Sequence, residues 1–284
     1  MSSVAMRASH RLCKRHSCCG NHLSTLSSKR EFAAATDASP IVELRKYNLR
    51  PSQTSLYTQH TIQSAPLRKN LPLAFFGFPE TGGIPLNTAV HFYHYQCGHA
   101  ERLERRSALA KKEEWKQYLG EVKACMVRQS SEIFVEAPLV DDFDDIKGLK
   151  HFVDNRWSLR PPATDTTDCG NNEGIIELRR YQLRLGYDTV PKFLQLYEDA
   201  LPSKLNSAGT HPTTELVTLL FNEVGSLNTV YEVWKHGGGV QAMEQSRQAS
   251  RGATKWRESI AEIADLAMSF DTTILKPLDF SPLR

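Results

Sequence analysis

The sequence predicts an α+β protein in which one strand–helix–strand–strand–helix–strand unit is built twice within one chain. Two observations carry this. The decapeptide IVELRKYNLR from Ile41 returns as IIELRRYQLR from Ile175, with seven of ten positions identical. Further along, Asn87-Thr-Ala-Val-His-Phe-Tyr93 returns as Asn228-Thr-Val-Tyr-Glu-Val-Trp234. The spacing of 141 then holds for Arg106 with Arg247, Trp115 with Trp256 and Ile133 with Ile274. Self-similarity of this kind marks a supersecondary unit that cannot bury its apolar face alone.

Each element follows in order. The decapeptides alternate and are rich in β-branched and aromatic residues, so both are strands. Helical stretches come next, Ser52 to about Leu67 and Val190 to Asn206. A hairpin follows in each copy. In the first, Leu71–Phe78 and Asn87–Tyr95 flank the turn residues Pro-Glu-Thr-Gly-Gly; in the second, Glu215–Asn222 and Asn228–Trp234 flank Glu-Val-Gly-Ser-Leu. Long helices are expected from Ala100 to about Met126 and from Val240 to Met268, with Gly237-Gly-Gly239 as the turn into the second. The closing strands are Glu132–Glu136 and Thr272–Leu275. This order is the ferredoxin-like plan. Its sheet carries helices on one face and needs cover on the other. Two copies supply that cover to each other, sheet against sheet, around a barrel-like core. Residues 139–173, whose second part is rich in Pro, Thr, Asp and Asn, join copies at 34–138 and 174–284.

Charge and composition bound the function. The chain has 284 residues, 35 basic and 32 acidic. Residues 1–33 hold six of the basic side chains, Arg7, Arg11, Lys14, Arg15, Lys29 and Arg30, against Glu31 alone, and seven serines. That is the composition of a mitochondrial transit peptide, and Arg30-Glu-Phe-Ala33 resembles a matrix-peptidase site. The remaining body is near −2, so it lacks the basic surface that nucleic acid demands. No apolar run approaches the roughly 18 residues of a spanning helix. Outside residues 1–33 the cysteines are Cys97, Cys125 and Cys169, an odd number without Cys-x-x-Cys spacing, which favours a reducing compartment.

Glu-Leu-Arg-x-Tyr-x-Leu opening each copy, Leu227-Asn-Thr-Val-Tyr-x-x-Trp234, its variant from Leu86, and the run from Arg105 to Leu119 together resemble the NIPSNAP family over residues 41 to 278. The resemblance implies a dimeric α/β-barrel type of fold, mitochondrial residence, and roles in vesicle traffic and mitochondrial quality control through docking of autophagy factors. It brings no agreed catalytic residue and no cofactor.

Strand alternation places Glu43, Arg45 and Tyr47 on one face, with Glu177, Arg179 and Tyr181 as their counterparts. On the Asn-Thr strands, Val90 and Phe92 are expected to meet the helices. His91, Tyr93, Glu232 and Trp234 then line a space between the two sheets. Structural ion pairing is the leading reading of these ten residues; a lumen for a planar or acidic small molecule, as in a small monooxygenase, is the alternative. His91 and His94 fall on opposite strand faces and cannot share a metal. On the basic helix, Leu103, Ala110, Tyr118 and Met126 form the expected apolar stripe, and Arg102, Arg105, Arg106, Lys111 and Lys112 form a candidate partner surface. Exposed outer sheet edges make a homo-oligomer an expectation.

Overall fold

The computed structural model describes residues 39–154 and 174–284. The expected transit peptide at 1–33 and residues 155–173 of the connection lie outside them. The first repeat runs β1 (Ile41–Leu49), α1 (Thr54–Gln63), β2 (Leu73–Gly82), β3 (Thr88–Tyr95), α2 (Gly98–Ala110), α3 (Glu113–Lys123) and β4 (Met126–Glu136). Short 3-10 turns at Pro51–Gln53 and Ala65–Asn70 flank α1. The connection holds α4 (Leu139–Asp142) and α5 (Gly148–Asp154). The second repeat runs β5 (Ile175–Leu183), α6 (Thr189–Leu205), β6 (Thr214–Val224), β7 (Thr229–His236), α7 (Gly239–Ser250), α8 (Thr254–Leu266) and β8 (Ala267–Pro277).

The eight strands close a barrel in the order β1-β3-β2-β8-β5-β7-β6-β4, every pairing antiparallel. Each repeat supplies four strands, and the repeats join through β2–β8 and β4–β6. This closure corrects the expectation of exposed outer edges: the outermost strand of each sheet finds its partner in the other repeat. It also explains why Pro79–Gly82 are strand residues and not a turn. They pair with Leu275 to Thr273 of β8, so the strand is set by the other repeat, which local turn propensity cannot see. Gly82 has φ +120°, and a Cβ there would lie 2.2 Å from the Thr272 carbonyl oxygen, so only glycine lets the seam close.

The recurring Asn-Thr has a local cause. In both repeats the asparagine sits where the second hairpin strand begins. The Asn87 side chain donates to the Leu49 carbonyl, and that of Asn228 donates to Arg184 at 2.7 Å. Leu49 and Leu183 return backbone bonds to the two asparagine carbonyls, each at 2.8 Å. The asparagines thus fasten the end of the first strand to the start of the third.

Each long helix is in fact two. The first breaks at Lys111–Lys112, where Lys112 is extended, and the second at Arg251–Ala253. The break shifts the helical phase, so the expected stripe holds at Tyr118 but fails at Leu103, which is 67% exposed, and at Ala110; Leu109 and Val122 face inward with Tyr118.

The faces are also opposite to expectation. Val42, Leu44, Val90, Phe92 and Phe134 pack with Ile176, Leu178, Val217, Tyr231 and Val233 inside the barrel. The odd face of β1 and β3 packs against α1, α2 and α3. Water reaches a helix layer from its sides, and arginines can enter it with their stems lying on apolar surface. The middle of a closed barrel offers no such route, so the apolar part of the face is buried there and its charged residues, Lys46 and Arg180, fall at the open mouth. Leu149 of α5 and Leu283 near the C-terminus plug one end of the interior. Glu136 fastens α5 by accepting from the Leu149 amide at 2.8 Å and Thr218 Oγ1 at 2.7 Å, and its other oxygen meets His94 Nε2 at 3.3 Å.

Candidate functional site

The ten strand residues fall into two separate groups, one per repeat, each between sheet and helices. None lines a space between the sheets, so the expected shared lumen of Glu43, Arg45, Tyr47, His91, Tyr93, Glu177, Arg179, Tyr181, Glu232 and Trp234 does not form.

In the first group Glu43 is the centre and is fully buried. It accepts from Arg45 (3.2 Å), Arg102 (2.8 Å), Arg106 Nε (2.9 Å), Ser131 (2.6 Å) and the Tyr95 hydroxyl (3.3 Å). Burial alone would raise its carboxyl. The Arg102 hydrogen bond, the Arg106 charge, the Ser131 bond and the Arg45 charge outweigh it and bring the group to about 2. Tyr47 packs edge-on to His91 at 4.6 Å and under the Arg45 guanidinium. His91 Nδ1 lies 3.1 Å from the Tyr93 hydroxyl, and burial followed by the charge of Arg68 holds the imidazole neutral.

In the second group Glu177 plays the part of Glu43. It accepts from Arg179 Nε at 2.6 Å, from His236 Nε2 at 3.1 Å, and from Arg247. Arg247 is the repeat counterpart of Arg106, and His236 that of Tyr95, so the same carboxylate is held from the same directions in both copies. A second buried carboxylate, Glu232, accepts from Tyr181 at 2.6 Å and from Trp234 Nε1 at 2.5 Å. Lys204 sits 3.9 Å from Glu232, with its ammonium 3.7 Å from the Trp234 ring centre and 4.4 Å from that of Trp256. Burial, then Arg179, pull the ammonium down to about 7, and Glu232 opposes them.

The ion pairing of Glu43 with Arg45 and of Glu177 with Arg179 is therefore realised, though against helices and not across an inter-sheet seam. Of the basic helix residues, Arg102 and Arg106 turn inward to Glu43. Only Arg105, Lys111 and Lys112 are exposed, and Arg105 pairs with Glu101 at 2.7 Å. The first repeat also holds Arg68, which strand alternation could not find because it lies in an irregular turn. The Arg106–Arg247 and Trp115–Trp256 spacing was the available signal for the helix side of both groups.

Opposite the plugged end, the barrel mouth holds a cavity of about 410 Å³. Its lining includes Lys46, Arg128, Glu132, Arg180, Tyr231 and Asp271. Lys46 pairs with Glu132 at 3.4 Å and Arg180 with Asp271 at 3.5 Å. Lys46 and Arg180 are repeat counterparts on the inward strand face. Among the described residues no group of acids, histidines and cysteines is arranged to hold a metal ion, and no helix is long and apolar enough to cross a membrane.

Comparison with known proteins agrees with the repeat structure. The NIPSNAP family model matches twice, at residues 42–140 and 176–282. The human protein NipSnap homolog 3A is 27% identical over 246 residues, covering 85% of each chain. Human NipSnap homolog 2 is 22% identical over 254 residues, covering 88% of this chain and 77% of the relative. A solved structure from Fusobacterium nucleatum, described provisionally as a monooxygenase, aligns over 85% of this chain and 93% of its own, with TM-score 0.54 and 12% identity; it shares the fold. Two family matches in tandem, over strands and helices that close one dimeric α/β-barrel-type fold, place this chain in the NIPSNAP family.

Proposed function

We propose that the chain is a non-enzymatic mitochondrial protein that docks protein partners in mitochondrial quality control or vesicle-associated traffic. One observation carries this reading. The polar strand residues that offered a chemical site are held by one another and by helix arginines, and below its mouth the interior between the sheets is filled with apolar side chains. What remains for recognition is surface. Arg105 and Lys112, with Lys69 and Glu104, border a groove along α2, and Lys111 stands at the helix break beside it. In this reading residues 1–33 are the import signal, 34–138 and 174–284 are the two repeats, and 139–173 connects them. The test is affinity capture of the tagged chain from mitochondria, quantified against an Arg105→Glu/Lys111→Glu/Lys112→Glu variant. Loss of a defined set of autophagy or trafficking proteins at unchanged Tm is expected; an unchanged set would overturn the assignment of this surface.

A second reading, small-ligand binding in the manner of the fold's monooxygenase-like members, is favoured by the mouth cavity alone. Its two ion pairs and Tyr231 suit a small polar molecule. Native mass spectrometry decides: a co-purifying mass lost in Lys46→Met/Arg180→Met supports it, and a bare polypeptide mass removes it.

A further inference from the structure

The two repeats treat their buried cation differently. In the second, Lys204 over Trp256 has the carboxylate of Glu232 within 3.9 Å. In the first, Arg68 lies over Trp115, the counterpart of Trp256, at 5.3 Å. Arg68 is 1% exposed, yet no carboxylate lies within ion-pair distance among the described residues. The position of Glu232 is occupied by His91, which burial keeps uncharged. Arg68 donates one bond, 2.6 Å to the Tyr118 hydroxyl, and its Nε and Nη1 are buried without partners. His91 Nε2 is likewise buried and unpartnered. In the tautomer where the Tyr93 hydroxyl donates to Nδ1, the imidazole proton sits on Nε2 and makes it a further donor, and an anion beside Nε2 selects that tautomer.

These groups border a small void of about 30 Å³, lined by Arg68, His91, Arg106, Tyr47, Trp115 and Tyr118, among others. Its size suits one or two water-sized occupants. Beyond it, Glu43 alone answers the half-buried Arg45, Arg102 and Arg106, so positive charge exceeds negative around the fully buried Arg68. A guanidinium removed from water needs a compensating charge.

We propose that this void is a binding site for a small monovalent anion, of halide or carboxylate size, held by Arg68 and His91 where the second repeat has the carboxylate of Glu232. The anion supplies in the first repeat what a side chain supplies in the second.

The experiment is thermal unfolding of the full chain, with bromide and then formate replacing methanesulfonate at constant ionic strength. Wild type should show a rise in Tm that grows with the logarithm of anion concentration above the dissociation constant, about 4 °C at ten times that constant. His91→Glu restores the carboxylate; in methanesulfonate alone it should match or exceed wild type held at ten times the dissociation constant, and it should no longer respond to bromide. Arg68→Met should also lose the response. Where a variant does not fold, crystals of wild type grown in bromide give the same answer, through an anomalous peak between Arg68 and His91. A response to bromide alone assigns a halide, and one to formate a carboxylate. No rise in either anion, a rise that persists in His91→Glu, or bromide-grown crystals without that peak would overturn the proposal.

Discussion

Replacing Glu43 by glutamine tests the electrostatics of the first repeat. The change keeps the shape of the side chain and removes the charge that three arginines share. Two routes give its size. The carboxyl moves from 4.5 to about 2 on folding; at 1.36 kcal/mol per unit that is about 3 kcal/mol. Breaking a buried ion pair costs about 3–5 kcal/mol. Arg45, Arg102 and Arg106 are 17%, 29% and 23% exposed, so water screens part of the loss and the lower end applies. The sign follows from proton uptake. Below 4.5 the unfolded chain binds a proton that the folded chain does not, so the contribution is whole above pH 4.5 and fades as pH falls toward 2. Urea unfolding of wild type and Glu43→Gln should therefore differ by about 3 kcal/mol at pH 6.5 and by about 1 kcal/mol at pH 3. A difference under about 0.5 kcal/mol, or one that does not change with pH, would refute the reasoning.

Two further outcomes follow from other parts of the fold. Gly82→Ala forces a Cβ into the Thr272 backbone at a positive φ and should cost more than about 2 kcal/mol, read by urea unfolding, because neither strand of the β2–β8 seam can retreat. A Gly83→Ala change, which meets the Asp271 side chain and not backbone, should cost clearly less. Lys204, brought down to about 7 from 10.5, makes wild type gain stability as pH rises, since the unfolded chain then holds a proton the folded chain lacks. Between pH 7 and 9 wild type should gain about 2 kcal/mol relative to Lys204→Met; a constant difference would show the ammonium to be retained.

The sequence made the plan of the fold legible because the plan is written twice. The decapeptides, the Asn-Thr strands and the matched tryptophans showed the order of the strands and the twofold repeat. Three things were not legible. The extension of β2 through Pro79–Gly82 depends on pairing with the other repeat. The division of the long helices depends on one extended residue in each, Lys112 and Ala253, with good helix formers nearby. The facing of the strands was reversed because an apolar stripe says only that a face is buried, not whether helices or a second sheet bury it. Of the site, the Glu-x-Arg pairing was readable from its spacing. Arg102 and Arg106 looked like surface cations because a helix pattern does not reveal that a carboxylate waits beneath. Arg68 carried no periodic signal at all.

The fold turns its polar strand face to the helices while the apolar face closes the barrel. A double-mutant cycle tests this most directly. Glu43→Gln and Arg106→Gln, singly and together, should show a coupling of about 2 kcal/mol, because Arg106 on α2 reaches Glu43. Glu43→Gln with Tyr231→Phe, whose ring lies inside the barrel, should be additive within about 0.5 kcal/mol. Coupling to Tyr231 with additivity at Arg106 would place Glu43 between the sheets and contradict the account.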